Sequence, residues 1–466
     1  MKRVHVVGVG GVGMSALAQV LQGGGFQVSG SDRYLDLGRR LSVFDQLAAA
    51  GIELVPQDGS GIRKKCSLVV VSTAIETGNP DTDAARLSGI PIVHRAEMLA
   101  RLAEGRRVIA VAGTAGKTTV TGMLGWIFES AGLDPTVVNG GAVLDWISKK
   151  RVGNVRLGAS DWWILEADES DRSFLRFSPE WALVTNISKD HFELKESQEL
   201  FNQFSGRVKE GLMVGSGVAA AIRESTVPCT EVQFESGDPV ITRDGSQFTY
   251  AGHRICLQQP GRHNAENALL ATAMALRAGL DPAGVIGAMH TFRGIQRRLE
   301  RVSLPDSPVA VLDDMAHNPA KIRAAWAAAR QQGGPVAGVW RPHGFAPLAL
   351  MYEELIVAFD EALSLEDRLF LLPVYYAGGT ARGERTSEDL ARDLRLRGRP
   401  VLCIEDEAEL EARLTECGTA GCTLLIMGAR DPGLPDLARR CARALEVTGQ
   451  VKTHRKTGPH RNRIVN

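Results

Sequence analysis

No apolar run in the 466-residue chain approaches the roughly 20 residues that a membrane-spanning helix needs, so no membrane partner is expected. There is no excess of charge either. Lys+Arg and Asp+Glu both number 54, and a net charge of zero supplies no field for nucleic acid or an anionic surface. The seven cysteines, Cys66, Cys229, Cys256, Cys403, Cys417, Cys422 and Cys441, include no CxxC pair. They suit reduced thiols filling a core better than a disulfide framework or a zinc site. The N-terminus enters a strand-like run without a signal-peptide pattern, and no internal repeat occurs. These absences leave a globular protein expected in the cytoplasm, a monomer or weak homodimer.

What is present is an alternation of strand-like and helix-like segments, which predicts an α/β protein of three domains. The first runs over 1–105 and the second over 106–304, the latter richer in short strands between Val214 and Gln259. Pro305 and Pro308 flank Asp306 and Ser307 as a breaker. Over 305–448, five apolar runs separated by helix-like segments predict a further parallel sheet. From 449 to 466 the chain is polar and basic, the composition of a solvated, disordered tail.

Two glycine-rich turns carry the chemistry. Gly113-Thr114-Ala115-Gly116-Lys117-Thr118-Thr119 follows the apolar run Val108–Val111 and precedes a helix-like segment. Glycines let backbone N–H groups approach an anion, the helix start favours negative charge, Lys117 can reach terminal phosphates and Thr118 can hold magnesium. The full GxxxxGK[ST] pattern is not met, because position 111 is Val. The other turn, Gly8-Val9-Gly10-Gly11-Val12-Gly13, has GxGxxG spacing after the strand Val4–Val7, and Asp32 ends a second strand where a ribose-binding acid belongs. By itself that turn suggests a nicotinamide dehydrogenase. A hydride-transfer enzyme, however, has no use for a triphosphate cradle a hundred residues later.

Acidic clusters complete a metal-phosphate site. Glu166-Ala167-Asp168-Glu169-Ser170-Asp171 and Asn186-Ile187-Ser188-Lys189-Asp190-His191 each follow a predicted strand. Both therefore fall on the strand-end edge where open parallel sheets bind ligands, and carboxylates with the Thr118 hydroxyl suit magnesium.

In order along nearly the whole chain, the motifs resemble the Mur ligases, the ATP-dependent amide-forming enzymes of peptidoglycan precursor synthesis. They are GVGGVGMSALA from Gly8, GSD from Gly30, VVVSTAI from Val69, HRAEML from His94, GTAGKTT from Gly113, EADESDRSFL from Glu166, TNISKDH from Thr185, GRHNAENAL from Gly261, FRGIQRRLE from Phe292, DDMAHNP from Asp313 and RPH from Arg341. The resemblance implies a Rossmann-like first domain that holds the UDP of UDP-N-acetylmuramate through Gly8, Gly10, Gly11, Gly13 and Asp32. Ser72, His94 and His343 also lie in substrate-facing motifs. It implies a central P-loop ATPase domain that binds ATP through Gly113, Thr114, Gly116, Lys117, Thr118 and Thr119, with magnesium among Thr118, Glu166 and His191. His263, Asn264 and Asn267 match an adenine-pocket segment, and Arg298 and Asp314 match residues reaching ATP from the two sides of the central-to-third junction. Lys117, Glu166, His191 and Arg298 form the catalytic set. A Rossmann-like C-terminal domain binds the incoming amino acid.

The pattern fits best the branch that adds L-alanine. Other branches carry a lysine, modified to a metal-bridging carbamate, on the helix after the DH pair; this chain has Gly206 there, as the alanine-adding branch also lacks that lysine. Departures concentrate in the third domain: DDMAHNPAK for the usual DDYGHHPTE, HGFAPL for HRYTR and PVYYAGG for DVYPAGE. They leave open another acceptor, such as one used in muramyl-peptide recycling or a specialised pathway, and a nucleotide-binding regulator that no longer ligates. The retained phosphoryl-transfer set argues against the regulator.

Overall fold

Short Val/Ile/Leu runs, each ended by a glycine or polar turn, form the strands of this computed structural model, which describes residues 2–62, 66–188, 192–304, 307, 309–375 and 385–456, with side chains to Glu446. The chain forms two compact units, 1–295 and 296–466.

The first unit contains two parallel-dominated sheets. Strands β1 (Arg3–Val7), β2 (Gln27–Ser31), β3 (Glu53–Val55), β4 (Cys66–Val71) and β5 (Ile92–His94) pair in the order β3-β2-β1-β4-β5, all parallel. The order reverses between β1 and β4, so the glycine turn after β1 opens at the switch point where such sheets bind ligands. The second sheet contains β6 (Arg107–Ala112), β7 (Thr136–Val138), β8 (Val155–Arg156), β9 (Trp162–Glu166), β10 (Trp181–Val184), β11 (Gly211–Val214) and β12 (Cys229–Glu231). Their order is β12-β11-β10-β6-β9-β7-β8, antiparallel only at β7–β8. Thus β6, which feeds the phosphate loop, lies between β9 and β10, which feed the acidic loops. The turn-rich segment supplies a small antiparallel sheet of β13 (Val240–Thr242), β14 (Gly245–Tyr250) and β15 (His253–Leu257).

Alternation along β6 explains why both its faces are covered. Ile109 and Val111 pack with Val120, Met123, Leu124 and Ile127 of the helix Lys117–Ser130 and with the helix Arg262–Arg277. Val108, Ala110 and Ala112 pack on the opposite side with Phe174, Phe201 and Phe204. The phosphate loop is thereby anchored at both ends in closely packed core.

The second unit has one sheet, β16 (Glu300–Arg301), β17 (Val311–Asp314), β18 (Val336–Trp340), β19 (Arg368–Leu371), β20 (Val401–Cys403) and β21 (Thr423–Met427), ordered β16-β17-β21-β18-β19-β20. All five runs foreseen from sequence are strands. The unit begins at Gln296 rather than at Pro305, because Glu300 and Arg301 pair antiparallel with Asp313 and Leu312. Pro305, Asp306 and Pro308 themselves lie outside the described residues. The last helix runs over Leu434–Lys456, so the basic stretch from Gly449 continues it through Lys456 instead of starting a tail; 457–466 lie outside the described residues. Among the described residues no helix is long and apolar enough to cross a membrane.

Candidate active site

The phosphate loop is shaped by two glycines that no other residue could replace without strain. Gly113 (φ +129°) and Gly116 (φ +89°) occupy conformations that L residues rarely adopt. A Cβ on Gly113 would lie 2.0 Å from Thr185 Oγ1, and one on Gly116 would lie 2.3 Å from Asn267 Oδ1. The end of β10 holds the loop from the side. Thr114 N donates to Asn186 O at 2.9 Å, Ala115 N to Asn186 Oδ1 at 3.0 Å, and Asn186 Nδ2 to Ala115 O at 2.9 Å. Thr114 Oγ1 donates to Ser188 O at 3.2 Å and accepts from Ser188 N at 3.0 Å, so this hydroxyl braces the loop. The amides of Gly116, Lys117 and Thr119 have no hydrogen-bond partner among the described residues, which makes the helix start an anion cradle.

Lys117 and Thr118 each meet an acid from the loop after β9. Lys117 Nζ donates to Glu169 Oε2 at 2.5 Å and to Gly113 O at 2.7 Å, with Asp168 Oδ1 at 3.8 Å. Burial pulls the Lys117 ammonium down, but Glu169, Asp168 and Glu166 together carry its pKa above the ordinary lysine value. Burial pushes Glu169 up to about 7 and outweighs Lys117, whose charge is shared with the neighbouring carboxylates. Thr118 Oγ1 donates to Glu166 Oε1 at 3.0 Å, and Gly140 N donates to Glu166 Oε2 at 2.6 Å. A hydroxyl and a fixed carboxylate within 3.0 Å of each other are hard oxygen donors of the kind magnesium takes. His191, the third expected metal residue, lies outside the described residues. The sequence alone gives Glu169 no role beyond membership of the acidic run; its spacing three residues beyond Glu166 is the available signal.

The first glycine turn is used differently from the GxGxxG expectation. Gly8 N and Val9 N donate to Ser31 O, at 2.8 and 2.9 Å, and Gly10 N donates to Asp32 Oδ2 at 2.9 Å. Gly11 N turns back to Gly8 O at 3.1 Å. Those amides are satisfied by the end of β2 and by the turn itself. Asp32 also accepts from Tyr34 N at 2.9 Å and is 6% exposed, so both its carboxylate oxygens are engaged in holding backbone. The amides without a partner among the described residues are those of Val12, Gly13 and Met14, the first turn of the helix Val12–Gly23.

Asn264 Nδ2 donates to Pro260 O at 2.8 Å and ties the start of the helix Arg262–Arg277, whereas Asn267 reaches across to Gly116. His263 stands half-buried on the same helix, and burial lowers its pKa to about 4, so the ring is neutral near pH 7. Ser72 follows β4 half-buried, and His94 caps the helix Arg95–Leu102. In the second unit, Asp314 accepts from Leu299 N at 2.7 Å; burial raises its pKa against Arg298 and neighbouring backbone donors. Arg298 and Asp314 thus belong to one compact unit. The His343 ring packs edge-on against His317, centroids 4.9 Å apart.

A phosphate cradle with a half-buried lysine and an acid-fixed threonine, beside a second nucleotide-type turn, defines the class: an enzyme that works on nucleoside phosphates. Family models agree in order along the chain, with Mur ligase family, catalytic domain over 3–107, Mur ligase middle domain over 111–207 and Mur ligase, glutamate ligase domain over 297–430. The UDP-N-acetylmuramate–L-alanine ligase of Cereibacter sphaeroides is 33% identical, the match covering 91% of this chain and 93% of that one. Its counterpart in Symbiobacterium thermophilum is 36% identical over 97% and 96%. The solved UDP-N-acetylmuramate-alanine ligase of Thermotoga maritima superposes with a TM-score of 0.77 at 25% identity, over 96% of this chain and all of the other. The chain belongs to the Mur ligase family, whose members are ATP-dependent amide-forming ligases.

Proposed function

We propose that this Mur ligase joins L-alanine to the lactyl carboxylate of UDP-N-acetylmuramate, using ATP and magnesium, through an acyl phosphate. The observation that carries the reading is the pairing at one loop mouth of Lys117 with Glu169 at 2.5 Å and Thr118 with Glu166 at 3.0 Å. It supplies a cation for the transferring phosphate next to oxygen donors suited to a divalent ion. The relatives that carry this activity in their names span almost the whole chain.

A carboxylate is a poor electrophile. Its oxygen attacks the γ-phosphorus, ADP leaves, and the resulting acyl phosphate is attacked at its carbonyl carbon by the amine of the acceptor. The tetrahedral intermediate collapses with loss of inorganic phosphate and a proton, leaving an amide. The chain's task is to position, offset charge and exclude water. Gly116, Lys117 and Thr119 amides receive phosphate oxygens, and the Lys117 ammonium offsets charge as the γ-phosphoryl group transfers. An ammonium about 4 Å from a phosphate charge is worth roughly 4 kcal/mol at an effective dielectric of about 20, or about three powers of ten in rate if felt only in the transition state. Thr118 and Glu166 would hold magnesium, which when bound offsets charge on the phosphate oxygens. The neutral His263 ring offers a flat, uncharged face to adenine, and the Val12, Gly13 and Met14 amides suit the UDP diphosphate. Such a reaction belongs in the cytoplasm, where ATP and the UDP-sugar are found.

The test is phosphate release with ATP, UDP-N-acetylmuramate and L-alanine, with the product weighed by mass spectrometry. All three substrates should be required, and a product heavier than the UDP-sugar by one alanyl residue should form. ATP turnover that ignores the UDP-sugar would defeat the reading. A different acceptor is the second reading, favoured by Arg341: it donates to Asp431 Oδ2 at 2.6 Å and to Pro373 O at 3.0 Å, which leaves it less available to an amino-acid carboxylate.

A further inference from the structure

Asn154 stands immediately before β8, 1% exposed, and its side chain is met by the helix Val12–Gly23. Its Nδ2 donates to Val12 O at 2.9 Å and to Ser15 Oγ at 3.0 Å, and its Oδ1 accepts from Gln19 Nε2 at 3.0 Å. Val12 O can only accept, which fixes the orientation of the amide. Val12, Ser15 and Gln19 lie one above another on one helix face, so a single side chain grips two turns of that helix.

The main chain of Asn154 serves the phosphate site. Asn154 O accepts from Asn139 N at 3.0 Å, and Gly140, the next residue, donates to Glu166 Oε2 at 2.6 Å. The other oxygen of that carboxylate receives Thr118 Oγ1 at 3.0 Å. A Cβ on Gly140 would lie 2.5 Å from Glu166 Oε2, so the turn presses on the acid it holds. Apolar contact also joins helix and strand. A Cβ on Gly23 would lie 2.5 Å from Leu157 Cδ1, and Val155 shares a core cluster with Leu17, Val20 and Leu21. Hydrophobic contact is non-directional and does not set the height or rotation of the helix on β8. Directional bonds to a buried amide do set it, and fixing register is the best-attested use of a polar group in a core.

We infer that Asn154 is a positioning residue for phosphoryl transfer. It sets the helix Val12–Gly23 at one height and rotation relative to Glu166 and Thr118, and so sets where the carboxylate of the UDP-sugar meets the γ-phosphorus. This rests on the reading above that the first sheet holds the UDP-sugar and the turn from Gly113 to Thr119 holds ATP. With its amide engaged by the helix, Asn154 acts through the elements it joins and not on either substrate. A displacement of about 1 Å between bound reactants can cost on the order of a hundredfold in rate, while each site keeps the contacts that bind its own ligand.

Calorimetry and kinetics of the full-length protein test this with N154A, Q19A, N154A/Q19A and S15A/Q19A. In N154A, the affinities for UDP-N-acetylmuramate and for a non-hydrolysable ATP analogue, titrated separately, should stay within about threefold of wild type. Its single-turnover rate of UDP-sugar-dependent ADP formation, measured well below its melting temperature, should fall by about tenfold to a hundredfold. In steady state kcat should fall while both KM values hold. A merely structural bond would lower the melting temperature and leave the rate per folded molecule unchanged, and that result overturns the inference. So does a weakened affinity for one ligand with no loss of rate. Q19A, which removes one of the bonds, should lose less than N154A, and N154A/Q19A should match N154A. If N154A does not fold, a folded S15A/Q19A with wild-type rate overturns the inference equally. Wild-type ATP turnover that does not need UDP-N-acetylmuramate would instead remove the substrate reading on which it rests.

Discussion

Lys117 Nζ is held between Glu169 Oε2 at 2.5 Å and Gly113 O at 2.7 Å, so the carbonyl of its own glycine turn and an acid from the loop after β9 share one cation. The lysine is thus fixed by the protein's own groups. Glu169 is 4% exposed and depends on this cation for its charge. One substitution therefore tests catalysis and electrostatics together.

Lys117→Ala should lower turnover by about a hundredfold or more, since it removes charge aimed at the transferring group. It should also steepen the dependence of stability on pH. Glu169 has a folded pKa of about 7, above its ordinary value of 4.5, so its folded state keeps a proton that the unfolded chain releases. Stability from this group is full below about 4.5 and lost as pH rises toward 7. Without Lys117 that window extends upward, and the gap between variant and wild type should widen from pH 6 to pH 8 in thermal denaturation. A variant that keeps more than about a tenth of wild-type phosphate release defeats the assignment of the loop.

Gly116→Ala tests the close approach of the helix Arg262–Arg277. Its φ of +89° costs an alanine about 1 kcal/mol, and the new Cβ would fall 2.3 Å from Asn267 Oδ1. Lower melting temperature and a raised KM for ATP are expected. Adding Asn267→Ala should recover the part due to overlap and leave the backbone strain. Full recovery, or no effect of G116A at all, contradicts the described packing.

Much of this architecture was legible in the sequence because period and punctuation agree. Apolar runs such as Val336–Trp340 and Leu424–Met427 are short, β-rich and closed by turns, and they are strands within a residue or so. The turn from Gly113 to Thr119 was legible as strand, glycine turn and helix for the same reason, and Gly113 and Gly116 do take the positive φ that glycine permits. What the sequence does not show depends on long-range contact. Nothing local in Glu300-Arg301 signals a two-residue edge strand, and nothing in GxGxxG says that Ser31 O and Asp32 will consume the amides of Gly8, Val9 and Gly10. The pairing of Lys117 with Glu169 spans 52 residues and appears only when β6 and β9 lie side by side.

His263 makes a separate pH prediction. Burial lowers its folded pKa to about 4 from 6.5, so the unfolded chain takes up a proton that the folded state refuses. Its contribution is complete above about pH 6.5 and is lost as pH falls through about 4. The fully buried limit is about 3 kcal/mol, and partial exposure of the ring brings the expected loss below that. His263→Gln should flatten the fall in unfolding free energy between pH 6.5 and 4. An unchanged slope in urea titrations across that range would show that the ring is not shielded as described.

The acceptor site yields the last prediction, from groups that are already occupied. Gly344, Ala346 and Pro347 stand where the L-alanine branch carries arginine-bearing HRYTR, and two nearby cations are engaged elsewhere. Arg341 is bound to Asp431 at 2.6 Å, and the Arg385 guanidinium lies 4.2 Å from the centroid of the Tyr352 ring. The third, Arg382, lies outside the described residues. A free amino acid offers a carboxylate that needs a cation or several N–H donors, and breaking the Arg341–Asp431 pair to provide one exposes a partly buried acid. Half-saturation by L-alanine should therefore be weak, above about a millimolar, with the ATP site unaffected, because missing ground-state contacts act on KM. Asp431→Asn should free Arg341 and lower the KM for L-alanine. Saturation kinetics with L-alanine, glycine, L-serine and a short peptide, at fixed ATP and UDP-N-acetylmuramate, decide the point. Sub-millimolar saturation by L-alanine alone in the wild type would show that the altered motifs do not touch specificity.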